Sequence, residues 1–460
     1  MTLDLVIRGG QVLTPTGLRP GTVAVAGGRI VAILPPEAEA VARETVNAQG
    51  AHILPGAIDI HCHIRSPAYP NRGSVESETG AAAKGGITTV FEMPITDPCC
   101  NSPERVVMRR DHFAPRALTD FAMFAAPVDL TEAAFFALRD AGVIALKIFT
   151  TASPPDRDRE FAGLAWPDTD AQMTVLRLAA KAGLTVFVHA ENDALIAQAA
   201  VRATALDKAD ARTHGLARPP EAEAAAVASL LAMNMIAGAR LHIAHVTSGL
   251  TVDVLRRFSG SSDFSAETCP HYLSFTEADV ARAGVSAKIN PPIRHEADRA
   301  ALWEALADGT LKHVTTDHAA FAPEEKLAKD GDFLSAPPGH PGLETLVPTL
   351  LDAVATGKTT MERAFALLSG NAAARFRLPS KGRLAAGADA DIIIVDMGAQ
   401  THITQSTLLT NARAISRLTD GHRYQGRILR TILRGATIWD GAAIIAPPGS
   451  GRFVNPEDPR

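Results

Sequence analysis

The chain has 460 residues, 46% of them hydrophobic and 21% charged, with a formal net charge of −5. This composition excludes a disordered or collagen-like chain and leaves ample length for a large buried core. No basic block or aromatic–basic interleaving points to nucleic acid, so the expected partner is a small molecule.

The opening MTLDLVIRGG has no basic region followed by an apolar one, so no signal peptide is expected. LDLVIRGGQVL, TVAVAGGRIVAIL and TVNAQGAHILPG read as short strands punctuated by Gly-Gly and Pro-Pro. From Pro55 to about Arg377, β-like runs alternate with helical ones. Those runs are AIDIHCHI, TTVFEMP, DFAMFAAPV, IALKIFT, TVFVHAE, RLHIAHVT, DFSAETCP and KHVTTDH. Eight such alternations predict an α/β fold, a (β/α)8 TIM-like barrel with its active face at the C-terminal ends of the strands. The segments from Asp156 to Asp170 and from Pro323 to Gly342 read as loops, the second a candidate rim.

The Ala-rich stretch near Ala224 to Ala239 carries Ser229 and Asn234 and is shorter than the roughly 18 apolar residues of a membrane span. It reads as a buried barrel helix, and no membrane association is expected. ADIIIVD and ILRTILRGATIWDG return to β texture at the C-terminal end. The two ends are therefore expected to pair into a small β-sandwich domain, residues 1–55 plus 378–460, beside a barrel of residues 56–377. Cys62, Cys99, Cys100 and Cys269 form no CxxC motif, which suits a reduced, cytoplasmic protein.

Chemistry-bearing residues recur at the ends of the barrel runs. His61 and His63 close the first, Lys147 lies in the fourth, His189 and His245 end the fifth and sixth, and Asp317 ends the eighth. Residues two apart on a strand point to the same side, so His61 and His63 project together as two ligands of one metal would. Each histidine alone reads equally well as a hydrogen-bonded barrel residue. Their joint placement at one face argues for a shared site.

Lys147 stands between Leu146, Ile148 and Phe149, where an unpaired charge is costly and burial favours the neutral amine. A neutral amine can take up carbon dioxide as a carbamate, an anionic bridge for two divalent cations. The alternative is a lysine reaching the barrel rim or pairing with a carboxylate. Two cations about 3.5–4 Å apart share a water and lower its pKa. Asp317 would ligate one cation, accept the water's proton and pass it to a leaving nitrogen. Nitrogen and oxygen ligands make zinc the expected metal, with manganese or cobalt as alternatives.

The motifs PGAIDIHCHI, AAAKGGITTVFEMP, LKIF, VHAEN, RLHIAHVTSG, AETCPHYL, KINPPIR, TTDH, GLETLVP and KGRLAAGADADIIIVD span nearly the whole chain. In these the sequence resembles the amidohydrolase superfamily, and within it the cyclic-amide hydrolases: dihydroorotase, allantoinase, hydantoinase and dihydropyrimidinase. The resemblance implies that His61, His63, Lys147 and Asp317 bind a first metal. Carbamylated Lys147, His189 and His245 would bind a second. It also implies a homo-oligomer, tetramer or dimer, acting on a cyclic amide or ureide.

Arg65 and Asn290 resemble dihydroorotase residues that contact the substrate's carboxylate and ring, while Ile95 and Phe321 depart from that enzyme's pattern. GGITTVFEMPIT looks more like allantoinases and L-hydantoinase-type enzymes, and hydantoinase- or allantoinase-like ring opening is expected ahead of dihydroorotase. A mononuclear deaminase and a non-catalytic scaffold are the remaining alternatives. Thr150, Thr151 and Ser153 stand where D-hydantoinases carry a tyrosine. Arg65 has a plainer reading as a rim residue paired to Glu76 or Glu78. His271 and His318 read as supporting residues, and His340 as one that could approach substrate.

Overall fold

A computed structural model describes residues 2–456. Five strands, β1 (Leu3–Thr14), β2 (Gly17–Ala26), β3 (Arg29–Leu34), β4 (Ala42–Asn47) and β5 (His52–Pro55), open the chain. The run read as one strand around TVAVAGGRIVAIL is a hairpin, because Gly27 and Gly28 take positive φ (60° and 77°) and turn it.

The barrel follows as β6 (Ala57–His63), β7 (Ile87–Glu92), β8 (Asp120–Ala125), β9 (Ala145–Phe149), β10 (Thr185–His189), β11 (Arg240–Ile243) and β12 (Phe264–Thr268). These are parallel neighbours in chain order. The eighth strand is split. β13 (His313–Val314) pairs with β12, and β14 (His318–Ala319) pairs with β6 and closes the ring. The break contains Asp317, whose φ of 44° removes it from strand geometry.

Helices cover the outside, and their ends follow from local sequence. Asp168 accepts the N–H groups of Asp170 and Ala171 to start Thr169–Ala182, and Gly183 (φ 69°) ends it. The Ala-rich stretch forms Pro220–Ala237, with proline in its first turn and Gly238 closing it. Among the described residues no helix is long and apolar enough to cross a membrane. The loop expected from Asp156 to Asp170 contains a short helix, Asp158–Phe161, and the later rim carries another, Pro323–Lys326.

β15 (Ile392–His402), β16 (Arg423–Leu433) and β17 (Ala436–Trp439) add to the N-terminal strands in the order β17-β16-β15-β5-β1-β2-β3, with β4 also on β1. Strands from both ends thus enclose one apolar core, including Leu5, Ile7, Val25, Ile53, Ile392 and Ile432. Buried Lys381 ties this unit to the barrel, 2.8 Å from Asp120 and 2.7 Å from Asp391. The last described segment returns to the barrel, where Phe121 and Arg452 share a backbone hydrogen bond of 2.9 Å.

Candidate metal centre and active site

Period-two geometry on β6 sends His61 and His63 to one side, and the left-handed turn at Asp317 brings its carboxylate to both. His61 Nε2 lies 3.1 Å and His63 Nε2 3.3 Å from Asp317 Oδ1. Lys147 Nζ is 3.4 Å from His61 Nε2. His189 Nδ1 and His245 Nε2 stand 2.9 Å apart, and the His61 and His245 rings stack at 5.4 Å. All six expected residues therefore converge at one point. Phe187 forms the floor, its ring edge-on to His61 at 5.0 Å.

The donor set fits a divalent cation. Candidate ligand atoms of His61, His245 and Asp317 all lie within 4.8 Å of one another. Burial lowers the pKa of His61, His63, His189 and His245, leaving the neutral rings that ligate metals. Burial opposes ionisation of Asp317, but His61, His63 and His245 hold its carboxyl well below the usual range. Lys147 is fully buried, and burial pushes its ammonium down to about 8.

A cavity of about 780 Å³ opens above this cluster, walled by Ile95, Phe149, Phe161 and the Ala336–Gly339 stretch of the late rim. Arg65 and Asn290 line it. The carboxylate of Glu92 accepts the N–H groups of Ile64 (2.8 Å) and Arg65 (2.7 Å), and holds Arg65 at φ 63°. The guanidinium of Arg65 lies over the Phe321 ring at 4.9 Å, and its Nε and Nη1 are buried without a hydrogen-bond partner. Burial, with Arg72 and Arg157 nearby, pushes its pKa down to about 9. Asn290 Oδ1 is likewise buried and unpartnered.

The pairing of Arg65 with Glu76 or Glu78 does not occur. Glu76 lies 3.6 Å from Arg116, and Glu78 lies 3.0 Å from His318 and accepts from Thr410 and Asn411. His318 thus rests on Glu78, while its Nδ1 accepts from Gly342 N–H at 3.2 Å. His340 is buried beside His271 and outside the cavity lining, so it does not approach the substrate space.

Sequence reading missed the carboxylates behind the histidines. Glu267 Oε1 is 2.6 Å from His61 Nδ1, and Glu191 Oε2 is 2.6 Å from His189 Nε2. Burial raises the Glu267 carboxyl well above its ordinary value, and Asp317 pushes it the same way. Burial also opposes ionisation of Glu191, but Arg218 and His189 hold it far below. Glu191 follows His189 by two residues, a spacing that could have flagged it. Nothing local links Glu267 to His61. Thr150 turns out to fix the backbone here: its hydroxyl donates to Glu191 O (2.8 Å) and accepts Glu191 N–H (2.9 Å).

Comparison with known proteins agrees with this architecture. The Amidohydrolase family profile matches residues 52–435. An allantoinase of Rubrobacter xylanophilus is 34% identical over 99% of this chain and 98% of its own length. An L-hydantoinase of Paenarthrobacter aurescens is 28% identical over 98% of each chain. The solved structure of the L-hydantoinase (dihydropyrimidinase) from Arthrobacter aurescens superposes with a TM-score of 0.93 at 28% identity, covering 99% of this chain and 100% of that one. A (β/α)8 barrel with a separate strand domain and a buried His/Asp/Lys cluster at its mouth defines a hydrolase of metal-dependent type. The chain belongs to the Amidohydrolase family.

Proposed function

We propose that the protein hydrolyses the C–N bond of a cyclic amide or ureide, in the manner of the hydantoinases and allantoinases it is similar to. The convergence of His61, His63, Lys147, His189, His245 and Asp317 beneath one cavity carries this reading. In it His61, His63, Lys147 and Asp317 hold one divalent cation, and Lys147, His189 and His245 a second. Lys147 is carboxylated on Nζ, and zinc is the metal expected ahead of manganese or cobalt. When bound, such cations supply Lewis acidity, polarising a carbonyl and acidifying a water.

The chain's own residues supply the rest. The Asp317 carboxylate accepts the proton of the attacking water and delivers it to the ring nitrogen as the C–N bond breaks. Asn290 Oδ1 accepts from a ring N–H, the partner it otherwise lacks. Arg65 presents two free N–H groups to a carboxylate or carbonyl of the substrate. Ile95, Phe149 and Phe161 exclude bulk water.

A dihydroorotase reaction is the second reading, and unpartnered Arg65 favours it. The decisive assay loads the protein with zinc and offers allantoin, hydantoins with and without a carboxylate side chain, dihydrouracil and dihydroorotate. Opening of one ring, lost on chelation and restored by metal, is expected. No turnover of any ring by a protein that holds two metals refutes the cyclic-amide assignment.

Residues 1–55 plus 378–460 and residues 56–377 serve as the two domains of this reading. The four cysteines, all free and buried, support a cytoplasmic location. Exposed Val201, Leu216, Met235 and Ile236 support assembly into a homo-oligomer.

A further inference from the structure

Two of the converging histidines rest on buried carboxylates, but only one of those carboxylates is itself gripped by an arginine. Glu191 is fully buried; its Oε2 meets His189 Nε2 at 2.6 Å, and the same carboxylate also meets Arg218. Arg218 Nε lies 3.2 Å from both carboxylate oxygens, and its Nη2 donates to Oε2. This is a fork-to-fork pairing, which fixes orientation as well as charge. Glu267, behind His61, has imidazole and backbone N–H partners but no arginine.

The grip also extends to neighbouring strand-end loops. The Arg218 carbonyl accepts from Arg294 Nη1 at 2.6 Å, and Arg294 Nε donates to Thr247 Oγ1 at 3.2 Å. Thr247 is two residues beyond His245, and Arg294 is four beyond Asn290. Thr150 fixes the Glu191 backbone from the loop after β9. Arg218 is also one of the residues that line the cavity.

We propose that Glu191 and Arg218 form a positioning pair. It orients the His189 ring so that Nδ1 presents its lone pair to the cavity, and it sets how tightly the His189/His245 side holds its cation. This rests on the metal reading given above. A carboxylate behind a ligating histidine fixes the ring's tautomer and direction and raises its basicity, and its loss weakens metal binding by about 10–100-fold. Arg218 extends that logic one residue outward: without its fork the Glu191 carboxylate is free to swing away from Nε2.

The test is chelator competition on zinc-loaded wild type, Glu191→Gln and Arg218→Gln, with bound zinc counted at each chelator concentration. Wild type is expected to hold two zinc ions per chain. Both variants are expected to release one of them at about 10–100-fold lower chelator strength while the other is held as in wild type. Arg218→Gln leaves Glu191 itself unsubstituted and alters a side chain 18% exposed, so it remains informative if Glu191→Gln fails to fold. Wild type without tightly held zinc overturns the metal reading itself. Wild type with two ions, and variants that hold both as tightly, overturns the positioning pair alone. Equal weakening of both ions also overturns it, because a general loss of structure would do the same.

Discussion

Replacing Lys147 with methionine should make the metal-free protein more stable while abolishing its chemistry. Lys147 is fully buried, and burial takes its ammonium from 10.5 to about 8. At about 1.4 kcal/mol per pH unit the displacement is worth roughly 3.5 kcal/mol in full, of which about 3 kcal/mol is borne at pH 7, only one unit below the folded value. The sign follows from proton binding. Between pH 8 and 10.5 the unfolded chain binds the proton and the folded one does not, so the stability of the wild type rises with pH across that window. Well below pH 8 the whole cost remains. Methionine fills similar volume and carries no charge, so Lys147→Met should gain about 3 kcal/mol at pH 7 and about half that at pH 9.5. The assay is urea unfolding of metal-free protein in carbonate-free buffer at both pH values. A variant less stable than wild type, or a gap independent of pH, refutes the reasoning. The same variant should hold less metal and open no ring.

Three further outcomes follow from the site. Asp317→Asn should lower kcat by about 10²–10⁴-fold, since it removes the proton carrier; steady-state rates at saturating substrate and metal check this, and a near-normal kcat assigns the proton elsewhere. Arg65→Gln should raise KM roughly 10–100-fold for a ring bearing a carboxylate, from the loss of a charged hydrogen bond worth about 1.5–3 kcal/mol. It should barely change KM for an uncharged ring, and equal losses on both would show that Arg65 does not read charge. Gly339→Ala should cost about 1–3 kcal/mol by overpacking, because at φ 150° an added Cβ would lie 2.6 Å from the Phe321 ring and 2.8 Å from Ala319 Cβ. Thermal unfolding measures that loss, and KM should rise with it as Phe321 moves beneath Arg65.

Sequence alone determined the barrel and the faces of its strands. Apolar runs alternating with helical ones, and the two-residue period of His61 and His63, are local properties that survive without knowledge of any partner. The convergence of Lys147, His189, His245 and Asp317 followed because each lies in or just beyond the C-terminal half of a strand-like run, and a parallel barrel collects those ends at one mouth. Tertiary structure alone decided what stands behind those residues. Glu267 reaches His61 across 206 positions, and Arg218 reaches Glu191 across 27. No periodicity encodes such pairs. They are imposed by burial, which requires each polar group to find a partner in space rather than in sequence. The same need put Glu78 on His318, and Arg65, whose buried Nε and Nη1 find no partner in the chain, is left to the cavity it lines. The break in the eighth strand was equally invisible, since the left-handed turn at Asp317 is held by its surroundings: Asp59 accepts Thr316 N–H at 3.0 Å and the Thr316 hydroxyl at 2.6 Å.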